Sequence, residues 1–403
     1  MKKITQELKK KNRTFLQFLK SRRFWIAVLG LVFCVFVILN SGFFSGTRDG
    51  NFTTQRAHVL STDNSNLMPD PEYQNMILGT QILEIEFLTG EFKGQTFKNI
   101  ENRLQPLFSN MAEKDMVMLF NIRSQDGEVI KIDIFGHSRD GLVYALIGLF
   151  IALLIIVGKK KGLYSAIGLG FTIITVIFFL LPAILSGHSP VFMAIITSII
   201  TSMFTIFLIS DISMKGLASM LGILAGVASA GIVGIIAGSL GHVSGLNLSD
   251  AEGVLALAHK LPLKIPELLS AGIIIAALGA VVDVSMSITS AIFEVKQLNP
   301  DIDVRKLYKS GMNIGGDIMA ATTNTLIMAF VGSSFCVLII LALYQLPFIC
   351  LINLNLFIVE LIQGIASSIG LILTVPVTAI CAASLAGNKL DMRFKQRRNK
   401  NGK

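Results

Sequence analysis

Charge is what this 403-residue chain has least of: Asp, Glu, Lys and Arg make up 15% of it, against a hydrophobic share of 52%. Soluble domains carry about 25% charged residues, so a wholly water-exposed fold is excluded and a multi-pass membrane protein is indicated. Cysteine is scarce too. Cys34, Cys336, Cys350 and Cys381 all fall in or beside apolar runs, leaving none for a disulfide in the polar part of the chain. The histidines, His58, His137, His188, His242 and His259, are scattered, and no His-Glu-x-x-His, Cys-x-x-Cys, Gly-x-Ser-x-Gly or Walker-type loop occurs. Zinc chemistry, a serine nucleophile elbow and ATP-driven transport by this chain alone are therefore not indicated. We expect no enzyme, no cofactor and no metal site.

Long apolar runs are plentiful. Those near 24–40, 142–158, 163–185, 190–210, 214–240, 267–291, 315–345 and 365–386 each suffice for a spanning helix of ~20 residues. Lys and Arg crowd the segment before the first run and the tail after the last, which predicts that both termini are cytosolic. Lys159, Lys160, Lys161, Lys215, Lys296, Arg305, Lys306 and Lys309 fall where eight spans put the cytosol, and the opposite short loops hold only Lys260 and Lys264. The net charge of +9 is thus mainly a topology signal. It points to anionic lipid as the partner of the basic ends, with no nucleic acid implied. The expected organisation is a basic N-terminus (1–23), an uncleaved transmembrane anchor (24–40), an extracytoplasmic β domain (41–140), a seven-helix transmembrane bundle (141–388) and a basic tail (389–403).

Residues 41–140 are polar and turn-rich, and alternate in hydrophobicity with a period near two. QILEIEFL at 81–88 precedes a Gly-containing turn and QTFKNI, and DMVMLFNI at 115–122 precedes Asp126-Gly127 and VIKIDIF, so two hairpins are predicted. With a strand near Ala57 to Ser61, about five strands suit a small, partly open barrel of the OB or SH3 type. Tyr73, Phe87, Phe92 and Phe97 are either core or a stacking platform, and core is the commoner use. Residues 41–55 read as a flexible tether.

In the fifth span Gly222, Gly226, Ala230, Gly234 and Gly238 recur every fourth residue, a ridge suited to close helix packing or, alternatively, to a sliding or pore-lining surface. The loop after it carries Asp250, Glu252 and His259, either over an outer mouth or on a solvated turn.

Two later spans carry polar stripes. Asp283, Ser287, Ser290 and Glu294 stand at offsets 0, 4, 7 and 11, and Asn313, Asp317, Ala320 and Asn324 repeat those offsets, so each set lines one helix face. An ionisable group in a bilayer costs several kcal/mol unless it faces protein or water, so the stripes are expected to mark the working interior. Matching the helices about their shared loop puts Asp283 level with Asn324, and Asp317 nearer the cytosol by seven residues, ~10 Å. Thr322, Thr323, Thr325, Ser285 and Thr289 add hydroxyls, completing an oxygen-rich site for a proton or small cation. The alternative is that the stripes only join two helices through hydrogen bonds. The run 315–345 would be ~45 Å long if straight, so it is tilted, broken near Gly332, or begins below the membrane surface.

GAVVDVSMSITSAIFEV at 279–295 and GMNIGGDIMAATTNTLIMAFVG at 311–332, behind an anchor and a β-rich outer domain, resemble the YibE/F family of multi-pass membrane proteins over nearly the whole chain. The resemblance implies no established biochemical function. It does imply a shorter companion membrane protein and a hetero-oligomer; a homo-oligomer is the other expectation. The expected location is the bacterial plasma membrane, with residues 41–140 outside. Ala320-Ala321 departs from the Gly and small or polar residue expected there.

The leading function is a permease or channel for a small solute or ion. Asp283 and Asp317 would serve as proton or cation sites, with Asn324, Asn313, Ser287, Ser290, Glu294 and Thr325 in support. The second is an envelope receptor, scaffold or assembly factor working through the outer domain. A third, an intramembrane aspartyl protease, is disfavoured by the seven-residue offset and by Ile314, which stands where a Gly-x-Gly-Asp motif needs glycine.

Overall fold

In QILEIEF every second side chain turns to one side: Gln81, Leu83, Ile85 and Phe87 are buried, while Ile82, Glu84 and Glu86 are only partly so. The computed structural model describes residues 22–40, 52–71, 76–104, 111–125, 128–210, 213–248, 251–258 and 261–387, and the chain divides into two units, Phe44–Leu153 and Met1–Phe43 with Leu154–Lys403. In the first, the strands are β1 (Phe52–Asp63), β2 (Leu67–Pro69), β3 (Ile77–Phe87), β4 (Thr96–Leu104), β5 (Val117–Gln125) and β6 (Glu128–His137). All pairings are antiparallel. β1 and then β2 run along one flank of β3, from Ala57↔Phe87 to Pro69↔Ile77, and β4 runs along the other. β5 and β6 follow β1. The edge strands β4 and β6 approach one another, so the sheet curls into a half-barrel.

Both expected hairpins are present, β3–β4 and β5–β6, with residues 126–127 of the second outside the described set. Phe87 and Phe92 are buried and Phe97 half-buried, their ring centroids 5.5 to 6.4 Å apart, so these three make core and not a stacking platform. Tyr73 lies outside the described residues. Gln81 is the polar member of this core: its amide nitrogen donates to the Ala112 carbonyl (2.8 Å) and its oxygen accepts from the Ala112 N–H (3.0 Å) and from Asn102 (3.1 Å). Phe52 to Gln55 of the expected tether belong to β1, and 41–51 are outside the described residues.

The helices are α1 (Arg22–Asn40), α2 (Asp140–Thr175), a π turn (Val176–Leu180), α3 (Leu181–Leu185), α4 (Pro190–Ser210), α5 (Met214–Leu240), α6 (Ala251–Ala258), α7 (Leu268–Leu298), α8 (Val304–Ser333), α9 (Phe335–Tyr344), α10 (Phe348–Ile352) and α11 (Asn355–Gly387). Among the described residues six runs are long and apolar enough to cross a membrane, against eight expected spans, and α1 contributes a shorter apolar helix. One of the two missing runs is that of α1, and the other is lost in α2, which joins the second and third expected spans into one run, Asp140–Leu185. That run breaks at Lys159 (φ 50°, ψ −129°), where the chain bends so sharply that a Cβ on Gly162 would sit 1.8 Å from the Leu154 carbonyl. The expected run 315–345 breaks at Ser334, two residues from Gly332 and so where a break was expected, and its helix α8 starts at Val304.

α5, α7 and α11 form the centre of the bundle. Gly222, Gly226, Ala230, Gly234 and Gly238 are all buried there. A Cβ on Gly222 would lie 1.9 Å from the Thr378 hydroxyl, and one on Gly226 would lie 1.8 Å from that of Thr374, so α5 meets α11 backbone against side chain with no space left along the ridge.

Candidate functional site

α7 and α8 are joined by a short link, so they lie antiparallel and adjacent. Asp303 caps α8, its carboxylate accepting from the Arg305 N–H (3.2 Å), and the Lys296 ammonium donates to the Ile302 carbonyl (3.0 Å) across the link.

α7 has an inner and an outer polar sector, whereas the buried side of α8 is leucine and glycine. On the inner side of α7, Ser285 donates to the Ser219 carbonyl of α5 (2.8 Å) and lies 3.1 Å from the Thr378 hydroxyl of α11, while Thr289 donates to the Ser285 carbonyl (2.7 Å). On α8 the buried residues are Leu307, Gly311 and Gly315. Gly311 rests against Ile292 and Ala379, Gly315 against Ile288 and Val375. Asp283 stands two residues from Ser285 and Asp317 two from Gly315, about 200° around each helix. Each stripe therefore lies on the side of its own helix opposite the contacts between α7 and α8.

Asp283, Ser287, Glu294, Asn313, Asp317, Asn324 and Thr325 are exposed and Ser290 is half-buried. The expectation that the stripes face the interior of the chain is thus reversed. Serine and threonine hold the inner sector because a hydroxyl can bond the backbone of its own helix, whereas a carboxylate needs partners that the packed centre lacks. Among the described residues no side-chain hydrogen bond or ion pair involves Asp283, Asp317, Asn313, Asn324, Ser287 or Ser290. Glu294 interacts electrostatically with Lys215, which Lys161 also approaches. Thr325 donates to the Ala321 carbonyl (3.1 Å), Thr322 to that of Ile318 (2.8 Å), and the Thr323 hydroxyl is buried without a partner among the described residues.

The contacts of Gly311 with Ile292 and of Gly315 with Ile288 also correct the depths. In that register Asp317 is level with Met286, three residues or roughly 4.5 Å from Asp283, and Asn324 is level with Gly279 rather than with Asp283. Asn313 comes level with Ser290. No group of three or more His, Cys, Asp or Glu able to hold a metal ion occurs among the described residues.

Other polar features were not read from the sequence. A cavity of about 490 Å³ at the Leu240 end of α5 is lined by His242, Ser239, Ser244, Glu267 and Ser270, with Ser189 donating to Glu267. Its His and Glu are distant in sequence, and only Pro266 opening the helical run hinted at an organised turn. Glu360 is half-buried in α11, which begins ten residues before the apolar run read there. Asp250, His259 and the side chain of Glu252 lie outside the described residues.

Residues 146–388, which include both motif segments and the whole hairpin, match the family described as YibE/F-like protein. No curated protein and no solved structure matches the chain.

Proposed function

Because the chain belongs to the YibE/F family, and is a membrane protein whose function is not established, we propose that it is a permease or channel moving a small solute or ion. Asp283 and Asp317 are its proton or cation sites, and Asn313, Asn324, Ser287, Ser290 and Thr325 its neutral ligands. Glu294 stands nearer the loop between the helices. The observation that carries this reading is the pair of carboxylates on α7 and α8, within about one helical turn of each other in depth, exposed and without protein partners among the described residues. Carboxylates kept at that position on apolar helices are costly, and such residues mark ion and substrate paths. The reading includes eight crossings, with α2 turning at Lys159, both termini cytosolic, and a bacterial plasma membrane.

The test is proton and cation flux into proteoliposomes, comparing wild type with Asp283→Asn and Asp317→Asn at equal incorporation. We expect a gradient-driven flux in wild type that falls by at least about tenfold in either variant, the scale of losing 1.4 kcal/mol of coupling. Equal flux in all three would sink the assignment.

A second reading, an envelope receptor or assembly factor, is favoured by one feature: edge strand β6 exposes Ile130 and Phe135, 57% and 63% accessible. It predicts that Asp283→Asn is harmless while Phe135→Ser is not. For an aspartyl protease the corrected register shortens the depth offset to roughly 4.5 Å, still more than the ~3 Å of a shared proton, and Ile314 remains a departure from its motif.

A further inference from the structure

α8 starts where α11 stops. Val304 packs so closely on the end of α11 that a Cβ on Gly387 would lie 2.3 Å from its side chain, which sets the first turn of one helix against the last turns of the other. A cavity of about 480 Å³ opens between them. Residues 304, 305 and 308 share a face of α8, and 380, 383 and 384 a face of α11, so the cavity is one groove between two helices. Val304, Ile380 and Ala383 make its apolar side; Asp303, Arg305, Tyr308 and Ser384 make its polar one. Asp303 accepts from the Arg305 N–H through one carboxylate oxygen, and the other is open among the described residues. The Arg305 guanidinium and the Tyr308 and Ser384 hydroxyls have no hydrogen-bond or ion-pair partner there either.

The groove also lies at a membrane boundary. Lys306 and Lys309 stand in the first turns of α8 and Lys389 follows α11 in sequence, while both helices are long and apolar enough to cross a membrane. In the register set by Val304 and Gly387, and kept by Gly311 against Ala379, Ser384 is level with the Leu307–Tyr308 step and Ile380 with Gly311. From the helix ends inward the order is therefore carboxylate, guanidinium, two hydroxyls and then Ile380, which is 53% exposed, as a side chain against acyl chains would be. We infer that this groove holds the headgroup of a membrane phospholipid carrying both a phosphate and a primary ammonium. The phosphate takes the guanidinium and the two hydroxyls, the donors suited to its oxygens, and the ammonium donates to the open oxygen of Asp303. The acyl chains leave over Ile380. One positive and one negative charge line the groove, which matches a zwitterion better than a net anion. The inference is independent of the transport reading, since none of these residues belongs to either polar stripe.

The test offers purified, delipidated full-length protein an equimolar mixture of phosphatidylethanolamine, phosphatidylcholine and phosphatidylglycerol with matched acyl chains, and reads the bound lipid by native mass spectrometry. Enrichment of phosphatidylethanolamine is expected. Arg305→Gln should reduce bound lipid by about tenfold, the scale of one lost charge-assisted contact. Asparagine caps a helix as well as aspartate does, so Asp303→Asn removes only the charge: lipid should still bind, but without preference over phosphatidylcholine, whose quaternary nitrogen has no N–H. Lys306→Gln, next to Arg305 but outside the groove, should match wild type. All three side chains are exposed, so the substitutions leave the packing untouched. Undiminished binding by Arg305→Gln, or an equal loss in Lys306→Gln, overturns the site, the latter by showing that surface charge alone attracts lipid. Enrichment of phosphatidylglycerol in wild type overturns the zwitterion. Free O-phosphoethanolamine should compete only in large excess; displacement of lipid at equal concentration would reassign the groove to a soluble phosphate ester.

Discussion

A single methyl group is enough to probe the centre of the bundle. At Gly226 an added Cβ would lie 1.8 Å from the Thr374 hydroxyl, 2.9 Å from the Val281 side chain and 3.1 Å from the Gly370 carbonyl, so side chains of both α7 and α11 must shift and the α11 backbone is met as well. Gly226→Val should cost about 1–3 kcal/mol or more by overpacking and lower the Tm of the reconstituted protein, whereas Gly148→Ala, with nothing within 4 Å, should leave it unchanged. Equal Tm values would refute the close approach. The ridge itself was legible, because a four-residue spacing of small residues is a local pattern. Thr374 and Thr378, which complete it, were not, since nothing in the periodicity of one helix says which other helix crosses it.

At the level of the element, the β3–β4 hairpin carries a charge pair with a defined pH response. The Lys98 ammonium, 3.0 Å from Glu84, donates to it and holds its carboxyl below the usual carboxylate range, with Ser61 adding a bond of 3.2 Å. In the neighbouring turn the Ser65 N–H does the same for Asp63. Both folded values are depressed, so the stability they contribute is fully present above the unfolded carboxylate value of about 4 and is lost as pH falls through the lower folded values. Hydrogen exchange of β3 and β4 amides, corrected for intrinsic rate, should therefore accelerate on acidification below about pH 4, and Lys98→Met should shrink the part due to Glu84. High salt should weaken the effect, since the pair is solvent-exposed. A rate independent of pH would refute it. The strands of this domain were readable because alternation reports both the element and its buried side. The hairpin of α7 and α8 was readable only in part. Period 3.6 tells which residues share a face, but not whether that face meets protein or surroundings, and Ser285 and Thr289 competed for the same inner sector. The depth error arose because α7 continues four residues past Glu294 while α8 begins nine before Asn313, an asymmetry that matching about the loop conceals.

For the whole molecule, the proposed topology has the outer domain on one side of the membrane and the bend of α2 on the other. Met68, 68% exposed, tests the first and Lys160 the second. With an impermeant maleimide on intact cells, Met68→Cys should label at once and Lys160→Cys only after permeabilisation; the opposite pattern would overturn the orientation. One feature of the bundle then acquires a broader meaning. The polar side chains buried in it are all hydroxyls, among them Thr197, Ser219, Ser285, Ser367, Thr374 and Thr378, with no carboxylate, amine, guanidinium or imidazole among the described residues. A membrane voltage does work only on charge, about 2.3 kcal/mol per elementary charge for each 100 mV. In the packed centre it finds nothing to grip, so electrical work must enter through the charges at its margin, Asp283 and Asp317 on the hairpin, Lys215 on α5 and Glu360 on α11, with the buried centre acting as an inert dielectric frame.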